Sequence, residues 1–324
     1  MKAVRIHAFG GPEVLQLEEI ARPVPAADEI LVKVYASGVN PVDWVVREGT
    51  SAALKYLLTL PMTLGWDAAG VVEELGSAVT GFEKGDAVYG VPSFPGDGSY
   101  AEYCVAKASH FARKPQSLGF TEAAGIPLAG LTAWTALFAY GKLQAGQRVL
   151  IQGASGGVGS LAVQFAKAQG AYVIGSASAG NLEHVRQLGA DETLDYKGQP
   201  VEELVRGVDV VLEASPVRDN AARVKAVTML KPGGIFVSVN TDFPFDEAVQ
   251  AALTRQHATG ELAANQPRQE WLSEIAQLID AGRVKVFVSK VYPLAEVAEA
   301  HRESQTWHVR GKLVLQIRPD DEPA

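Results

Sequence analysis

Val149-Leu150-Ile151-Gln152-Gly153-Ala154-Ser155-Gly156-Gly157-Val158-Gly159 is the stretch on which the fold turns. An apolar run of strand length meets a glycine-rich turn, and beyond it Leu161, Ala162, Phe165 and Ala166 recur at helical spacing. Strand, glycine turn and helix in that order build a cradle for a pyrophosphate. The glycines let the backbone come close, and the helix N-terminus aims amide hydrogens and the positive end of its dipole at the phosphates. By itself the spacing, G-x-x-G-x-x-G rather than G-x-G-x-x-G, fits a structural glycine turn equally well. The surrounding sequence decides between the two.

Outward from this stretch the chain has two characters. From about 121 onward helical and strand patterns alternate: helix over 121–140, strand at 149–152, helix over 158–169, strands at 171–176, 193–194, 208–212 and 235–239. Such alternation predicts a parallel sheet covered by helices on both faces. Residues 1 to about 120 instead show short strands cut by glycine and proline, as at 29–35, 71–72 and 87–89, which predicts a compact, irregular β-barrel. After 265 the pattern is mixed, with helices over 271–280 and 294–303, strands at 284–291 and 313–317, and an acidic tail from Pro319. The expected division is 1–122 with 266–324 as one domain and 123–265 as the nucleotide-binding domain. At 324 residues, two domains are the natural expectation.

Bulk properties narrow the function. Net charge is -8 and no basic cluster stands out, which argues against nucleic acid or an anionic membrane as partner. The single cysteine, Cys104, excludes an internal disulfide and a multi-thiolate zinc site, and is expected to be a small buried hydrophobe. The start, Met1 to His7, lacks the apolar core of a signal peptide, and the longest greasy stretch, 128–140, is too short to span a bilayer. A cytoplasmic protein is expected.

The second strand of the sheet speaks to the cofactor. NAD enzymes usually place Asp or Glu near its end to bind the ribose 2′-OH; here it runs into Gly175-Ser176-Ala177-Ser178, with no carboxylate. An acid would repel a 2′-phosphate, whereas Ser176 and Ser178 leave room and donate hydrogen bonds, and Tyr196 adds another donor. NADP(H) is therefore favoured over NAD(H). The same serines also suit the start of the next helix.

The chain now resembles the medium-chain dehydrogenase/reductase superfamily and, within it, the zinc-free quinone oxidoreductases related to zeta-crystallin. The marks are Asn40-Pro41-Val42-Asp43, Leu64-Gly65-Trp66-Asp67-Ala68-Ala69-Gly70, Gly85-Asp86-Ala87-Val88, Gly130-Leu131-Thr132-Ala133, the glycine turn, Leu188-Gly189-Ala190-Asp191 with Asp195-Tyr196, and Gly311-Lys312-Leu313-Val314-Leu315. The resemblance implies an α/β chain in which a doubly wound Rossmann domain is inserted into a split GroES-like catalytic barrel, with the active site in the cleft between them. It also implies a homodimer. Zinc-dependent relatives carry a cysteine at the position of Asn40 and a histidine at that of Trp66, and the structural zinc lobe is missing. The six histidines, His7, His110, His184, His257, His301 and His308, form no i, i+4 pair. No metal is expected. Reduction of a quinone, or of an α,β-unsaturated carbonyl compound, needs only position and one or two hydrogen-bond donors, whereas oxidising an alcohol needs an alkoxide that a metal supplies. A nucleotide-binding sensor or structural protein without catalysis is the third expectation.

By this resemblance Asn40 is the polar group at the substrate or nicotinamide ribose, although asparagine before proline is also an ordinary turn residue. Asp43 is expected to organise its loop. Trp44, Tyr56 and Trp66 are expected to wall a flat substrate, or else to be core. Thr132 is placed on the nicotinamide side, with Ser155 and Val158 at the pyrophosphate, and Ala214, Ser238 and Asn240 at the strand ends. Relatives often carry tyrosine or lysine at the position of Val45, so the proton donor is left open here, with water as one source. They also often carry a basic residue near Gly180, absent here; Arg310 and Lys312 either compensate elsewhere on the cofactor or are solvated charges.

Overall fold

The structure, a computed structural model, describes residues 1–50, 57–198 and 200–320. In chain order its strands are β1 (Lys2–Ile6), β2 (Gln16–Glu19), β3 (Glu29–Val39), β4 (Met62–Thr63), β5 (Ala68–Leu75), β6 (Ala87–Gly90), β7 (Tyr103–Lys107), β8 (Phe111–Arg113), β9 (Arg148–Gln152), β10 (Tyr172–Ala177), β11 (Glu192–Asp195), β12 (Val208–Glu213), β13 (Leu230–Ser238), β14 (Thr259–Leu262), β15 (Val288–Pro293) and β16 (Lys312–Gln316). The α-helices are α1 (Pro41–Glu48), α2 (Phe120–Ala123), α3 (Pro127–Trp134), α4 (Gly157–Ala168), α5 (Leu182–Gln187), α6 (Val201–Leu204), α7 (Asn220–Val227), α8 (Glu247–Gln256), α9 (Gln269–Asp280) and α10 (Val297–Gln305). The helical pattern expected over 121–140 resolves into α2, α3 and a π-helical stretch, Thr135–Tyr140.

Two compact units result. The first comprises Met1–Leu131, Pro267–Ala281 and Val286–Ala324; the second comprises Thr132–Gln266 with Gly282–Lys285. The first division falls after Leu131 rather than after 122. Residues beyond 122 are tied to the first unit: the Leu128 amide donates to Asp67 Oδ1 at 2.6 Å, and the Ala124 carbonyl packs against Gly38 of β3.

In the first unit β3 organises the barrel. Its pairing with β5 shifts register between Leu31 and Val32 and again between Val34 and Ala36. Irregularities of this kind bend a strand and re-aim its side chains. The first half of β3 pairs with β7, and its end pairs antiparallel with β16, Val39 opposite Leu313. Gly38, Val39 and Asn40 are thereby laid beside Lys312. Ile30, Val32, Val34, Val72, Val88 and Phe111 form the buried apolar centre of this unit.

In the second unit all six strands are parallel, in the order β11-β10-β9-β12-β13-β14. Numbered within the unit this is 3-2-1-4-5-6, the Rossmann order, whose direction reverses between β9 and β12. Leu150, Ile174, Val211 and Phe236, from four adjacent strands, pack with Val227, Val249 and Leu253 of α7 and α8. Such near-continuous apolar strands are what a sheet covered on both faces requires.

Candidate functional site

The glycine turn lies at the carboxyl end of β9, at the point where the strand order reverses. Each glycine of the 153/156/159 spacing has a separate physical reason. Gly153 has φ +75°, and a Cβ there would lie 2.8 Å from the Ala214 carbonyl oxygen. Gly156 caps the N-terminus of α4 with extended backbone, and a Cβ there would meet only the Gly153 oxygen at 3.5 Å. Gly159 packs helix against turn so closely that a Cβ would fall 2.1 Å from the Gly153 oxygen. The first amides of α4, from Gly157, Val158 and Gly159, have no carbonyl partner inside the helix, and Ser155 sits in the turn ahead of them. The cradle fits a pyrophosphate.

At the end of β10, Ala177 lies in register with Asp195 of β11. Ser178 and Tyr196 therefore leave adjacent strands side by side, and the Tyr196 amide donates to the Ala177 carbonyl at 3.3 Å. Tyr196 is 52% exposed. Ser178 caps the turn Ala179–Asn181, and its hydroxyl accepts from the Asn181 side chain at 3.2 Å. The Asp195 carboxylate, the acid closest in the register, accepts from the Lys197 amide of its own turn at 3.0 Å. Ser176 is buried, and its carbonyl accepts from the Ala154 amide at 3.0 Å, holding the turn against β10. At Gly180 a side chain would enter open space.

The ends of β12 and β13 correct part of the expectation. Ser238 is fully buried: its hydroxyl bonds Glu213 at 2.5 Å and accepts from Arg223 at 3.0 Å. Asn240 donates to the same carboxylate at 3.3 Å and to the Ser215 carbonyl at 2.9 Å. The Ser238 side chain thus serves a buried ion pair, Arg223 with Glu213 at 2.8 Å, rather than facing a ligand, while the half-buried Asn240 borders that pair. The Ala214 amide extends the ladder to Gln152 at 3.0 Å. Thr132 accepts a hydrogen bond from Asn265 at 3.0 Å.

In the first unit a polar cluster gathers around Asn40 at the N-terminus of α1. The Asn40 amide nitrogen donates to Asp67 Oδ2 at 2.7 Å, and the Lys312 ammonium donates to Asn40 Oδ1 and, at 3.1 Å, to the Val39 carbonyl. Lys312 also pairs with Asp67 Oδ2 at 3.2 Å, while Asp67 Oδ1 accepts from the Leu128 amide at 2.6 Å. All three side chains are buried. Lys312 is therefore no phosphate grip: its ammonium is committed inside the barrel. Gly38 makes room, since a Cβ there would sit 2.4 Å from Asp67 Oδ2 and 2.5 Å from the Ala124 carbonyl.

A second buried chain adjoins the first. Asp43 Oδ2 accepts from the Asn40 backbone amide and from the Tyr100 hydroxyl, both at 2.7 Å, so it does organise its loop. His301 Nε2 lies 3.3 Å from the Tyr100 hydroxyl, and its Nδ1 lies 3.1 Å from Arg47 Nη1. A guanidinium can only donate, so Nδ1 is the acceptor and the proton sits on Nε2. Burial, then the neighbouring Arg47 charge, pushes the His301 imidazole down to about 3. Burial pushes the Asp43 carboxyl up to about 7 against the hydrogen bonds from Tyr100 and Asn40; its Oδ1 has no partner among the described residues. Cys104 is buried, its thiol pushed up to about 12, in keeping with an inert hydrophobe.

The aromatic wall is also corrected. Trp44 is 8% exposed, with its indole N–H on Ser304 Oγ at 3.2 Å, and Trp66 is 1% exposed. Neither presents a face to a ligand. The rings at the surface are their edge-on neighbours, Trp307 beside Trp44 and Phe94 beside Trp66, 43% and 37% exposed. Tyr56 lies outside the described residues. Asp67 lies within a motif that carries the family resemblance and His301 is one of the six histidines, but neither is given a site role from sequence; Arg47, Tyr100, Glu213 and Arg223 are not singled out at all.

The residues present do not fit a metal. The Asn40 amide oxygen faces the Lys312 ammonium, Trp66 offers no lone pair, and among the described residues no group of three or more His, Cys, Asp or Glu could hold an ion.

Residues 26–116 match the alcohol dehydrogenase GroES-like domain, and residues 188–315 match the family described as zinc-binding dehydrogenase. The chain is 34% identical to the quinone oxidoreductase of Sus scrofa, with 97% of each chain covered. The quinone oxidoreductase structure from Coxiella burnetii superposes with a TM-score of 0.89 at 34% identity, covering 98% of this chain and 99% of that one. The Escherichia coli quinone oxidoreductase complexed with NADPH gives a TM-score of 0.86 at 29% identity, covering 98% of this chain and 100% of that one. Sheet order, glycine turn and full-length similarity lead to one conclusion: the chain is an oxidoreductase-type member of the medium-chain dehydrogenase/reductase superfamily, belonging with the zeta-crystallin-like quinone oxidoreductases.

Proposed function

We propose that the protein is an NADPH-dependent oxidoreductase that reduces quinones without a metal. When bound, the reduced nicotinamide supplies the hydride. The chain's own residues do the rest. The amides opening α4 hold the pyrophosphate at the turn made possible by Gly153 and Gly156. Ser178 and Tyr196 border the place of the adenosine ribose, where hydroxyl donors and the lack of a free carboxylate favour a 2′-phosphate.

Asn40 supplies a neutral donor. With its carbonyl on Lys312 and one N–H on Asp67, a single N–H remains for the substrate oxygen that gains charge as hydride arrives. This arrangement carries the reading. A fixed amide donor stabilises a forming quinol or enolate oxygen but cannot take a proton from an alcohol. The imidazole of His301 is committed to Arg47 and Tyr100, and so is no base for alcohol oxidation. The proton that completes reduction comes from water.

The same donor serves an α,β-unsaturated carbonyl compound, so turnover decides between acceptors. Loss of NADPH absorbance with p-benzoquinone, faster than with an alkenal, is expected. Faster turnover of the alkenal would reassign the acceptor, and no turnover with either would leave only nucleotide binding. Two copies associating as a dimer in the cytoplasm complete the proposal, and sedimentation checks the association.

A further inference from the structure

Asn40 is held from both ends by residues far away in sequence. Lys312 is opposite Asn40 because β16 lies beside the end of β3, and Asp67 stands one residue before β5. Lysine has only donors and an ionised carboxylate only acceptors. An amide between them has one permitted orientation, its oxygen on Lys312 and its nitrogen on Asp67. A flipped amide would set N–H against ammonium and carbonyl against carboxylate. The pair itself is anchored: Asp67 Oδ1 takes the Leu128 amide at 2.6 Å, and Lys312 also holds the Val39 carbonyl at 3.1 Å. The chain keeps Gly38 where any Cβ would strike Asp67.

We propose that Asp67 and Lys312 are positioning residues for Asn40: together they fix its amide in one orientation, so that its remaining N–H is always the group offered to the substrate oxygen. This rests on the reading of Asn40 as the donor. An isolated asparagine would divide its time between two flips and several rotamers. Locked between opposite charges it needs no reorganisation as charge develops, which is where an oxyanion donor gains its effect. Burial of the pair strengthens the lock, because neither charge has water as an alternative partner.

A double-mutant cycle tests the assignment. The full-length protein is compared with Asn40→Ala, Lys312→Met and the Asn40→Ala/Lys312→Met pair, using NADPH and p-benzoquinone, with kcat, NADPH affinity and Tm measured for each. Asn40→Ala is expected to lower kcat by about 100-fold. Lys312→Met is expected to lower kcat by at least about 10-fold with NADPH affinity unchanged, and to cost less than about twofold once Asn40 is gone. Equal losses from Lys312→Met in both backgrounds would overturn the positioning role. Full kcat in Asn40→Ala would instead overturn the reading of Asn40, and the positioning role with it. Tm reports the structural loss separately, since a merely structural lysine lowers it without a kcat coupling to Asn40. Should Lys312→Met fail to fold, Asp67→Asn/Lys312→Met, which removes both charges together, replaces it in the same cycle.

Discussion

The glycine turn of the second unit and the polar cluster of the first are built on opposite principles. Seven consecutive residues, 153–159, make the turn, and the groups it offers a ligand are its own backbone amides, although Ala214 and Ser176 pack against it from neighbouring strands. The cluster around Asn40 draws on positions up to 273 residues apart in the chain, joined only because β3 bends and β16 returns beside it. A site for a constant ligand group, a pyrophosphate, can be made from backbone alone. A site that must present one oriented donor needs side chains whose own partners are fixed, and those come from wherever the fold delivers them.

The largest expected effect tests whether buried polar groups hold the second unit as they hold the first. Arg223→Met leaves the Glu213 carboxylate enclosed without its guanidinium. A loss of about 3–5 kcal/mol in urea unfolding is expected, with most of it recovered in Arg223→Met/Glu213→Gln. No recovery in the pair would mean that stacking of the Arg223 guanidinium on the Phe243 and Phe245 rings, rather than its pairing with Glu213, is what was lost.

The next effect is one of pH and separates the two buried groups beside Asn40. Asp43 rises from 3.8 to about 7, so the folded chain holds its proton more tightly than the unfolded chain; that stabilisation is full below 3.8 and lost as pH rises through 7. His301 falls from 6.5 to about 3, so its stabilisation is present above 6.5 and lost as pH falls towards 3. Between about pH 4 and 6.5 the two slopes oppose and cancel. Relative to wild type, Asp43→Asn should gain stability as pH rises across that window and His301→Phe as it falls, by roughly 1 kcal/mol per pH unit each. Differences independent of pH would show that neither group is held away from its ordinary range.

A pair of glycine substitutions sharpens the contrast directly. Gly153→Ala forces a side chain into φ +75° against the Ala214 carbonyl, and Gly38→Ala drives a Cβ into Asp67. Each is expected to cost about 1–3 kcal/mol. Gly153→Ala should weaken NADPH binding, and Gly38→Ala should lower kcat while leaving NADPH binding alone. Calorimetric titration with steady-state kinetics reads both, and the same defect from both would erase the distinction. The smallest effect is at Ser178. Ser178→Asp should weaken NADPH binding by about tenfold and NADH binding much less, since a carboxylate repels the 2′-phosphate. Equal losses would place this side chain away from the adenosine ribose.

Legibility followed the same divide. Strand, turn and helix around Gly153 could be read because periodicity and glycine spacing are local signals. Trp44 and Trp66 read equally as substrate wall or as core because sequence says aromatic and not which side is covered; the fold buries both and exposes Phe94 and Trp307. Lys312 reads as a cation suited to phosphate until Asp67, 245 residues earlier, is found at 3.2 Å. Ser238 reads as a strand-end ligand until the Glu213–Arg223 pair is seen to occupy its buried hydroxyl.

From the sequence alone came the sheet and its turn, the barrel-like first segment, the family, and Asn40 as the residue to watch. Those are properties of neighbouring residues, set by backbone sterics and by the period at which apolar side chains recur. The tertiary structure alone decided which charges are buried together, which tautomer His301 adopts and which way the Asn40 amide points. Orientation of a polar group is set by donors and acceptors around it, and chain folding brings those together from positions that share no local pattern.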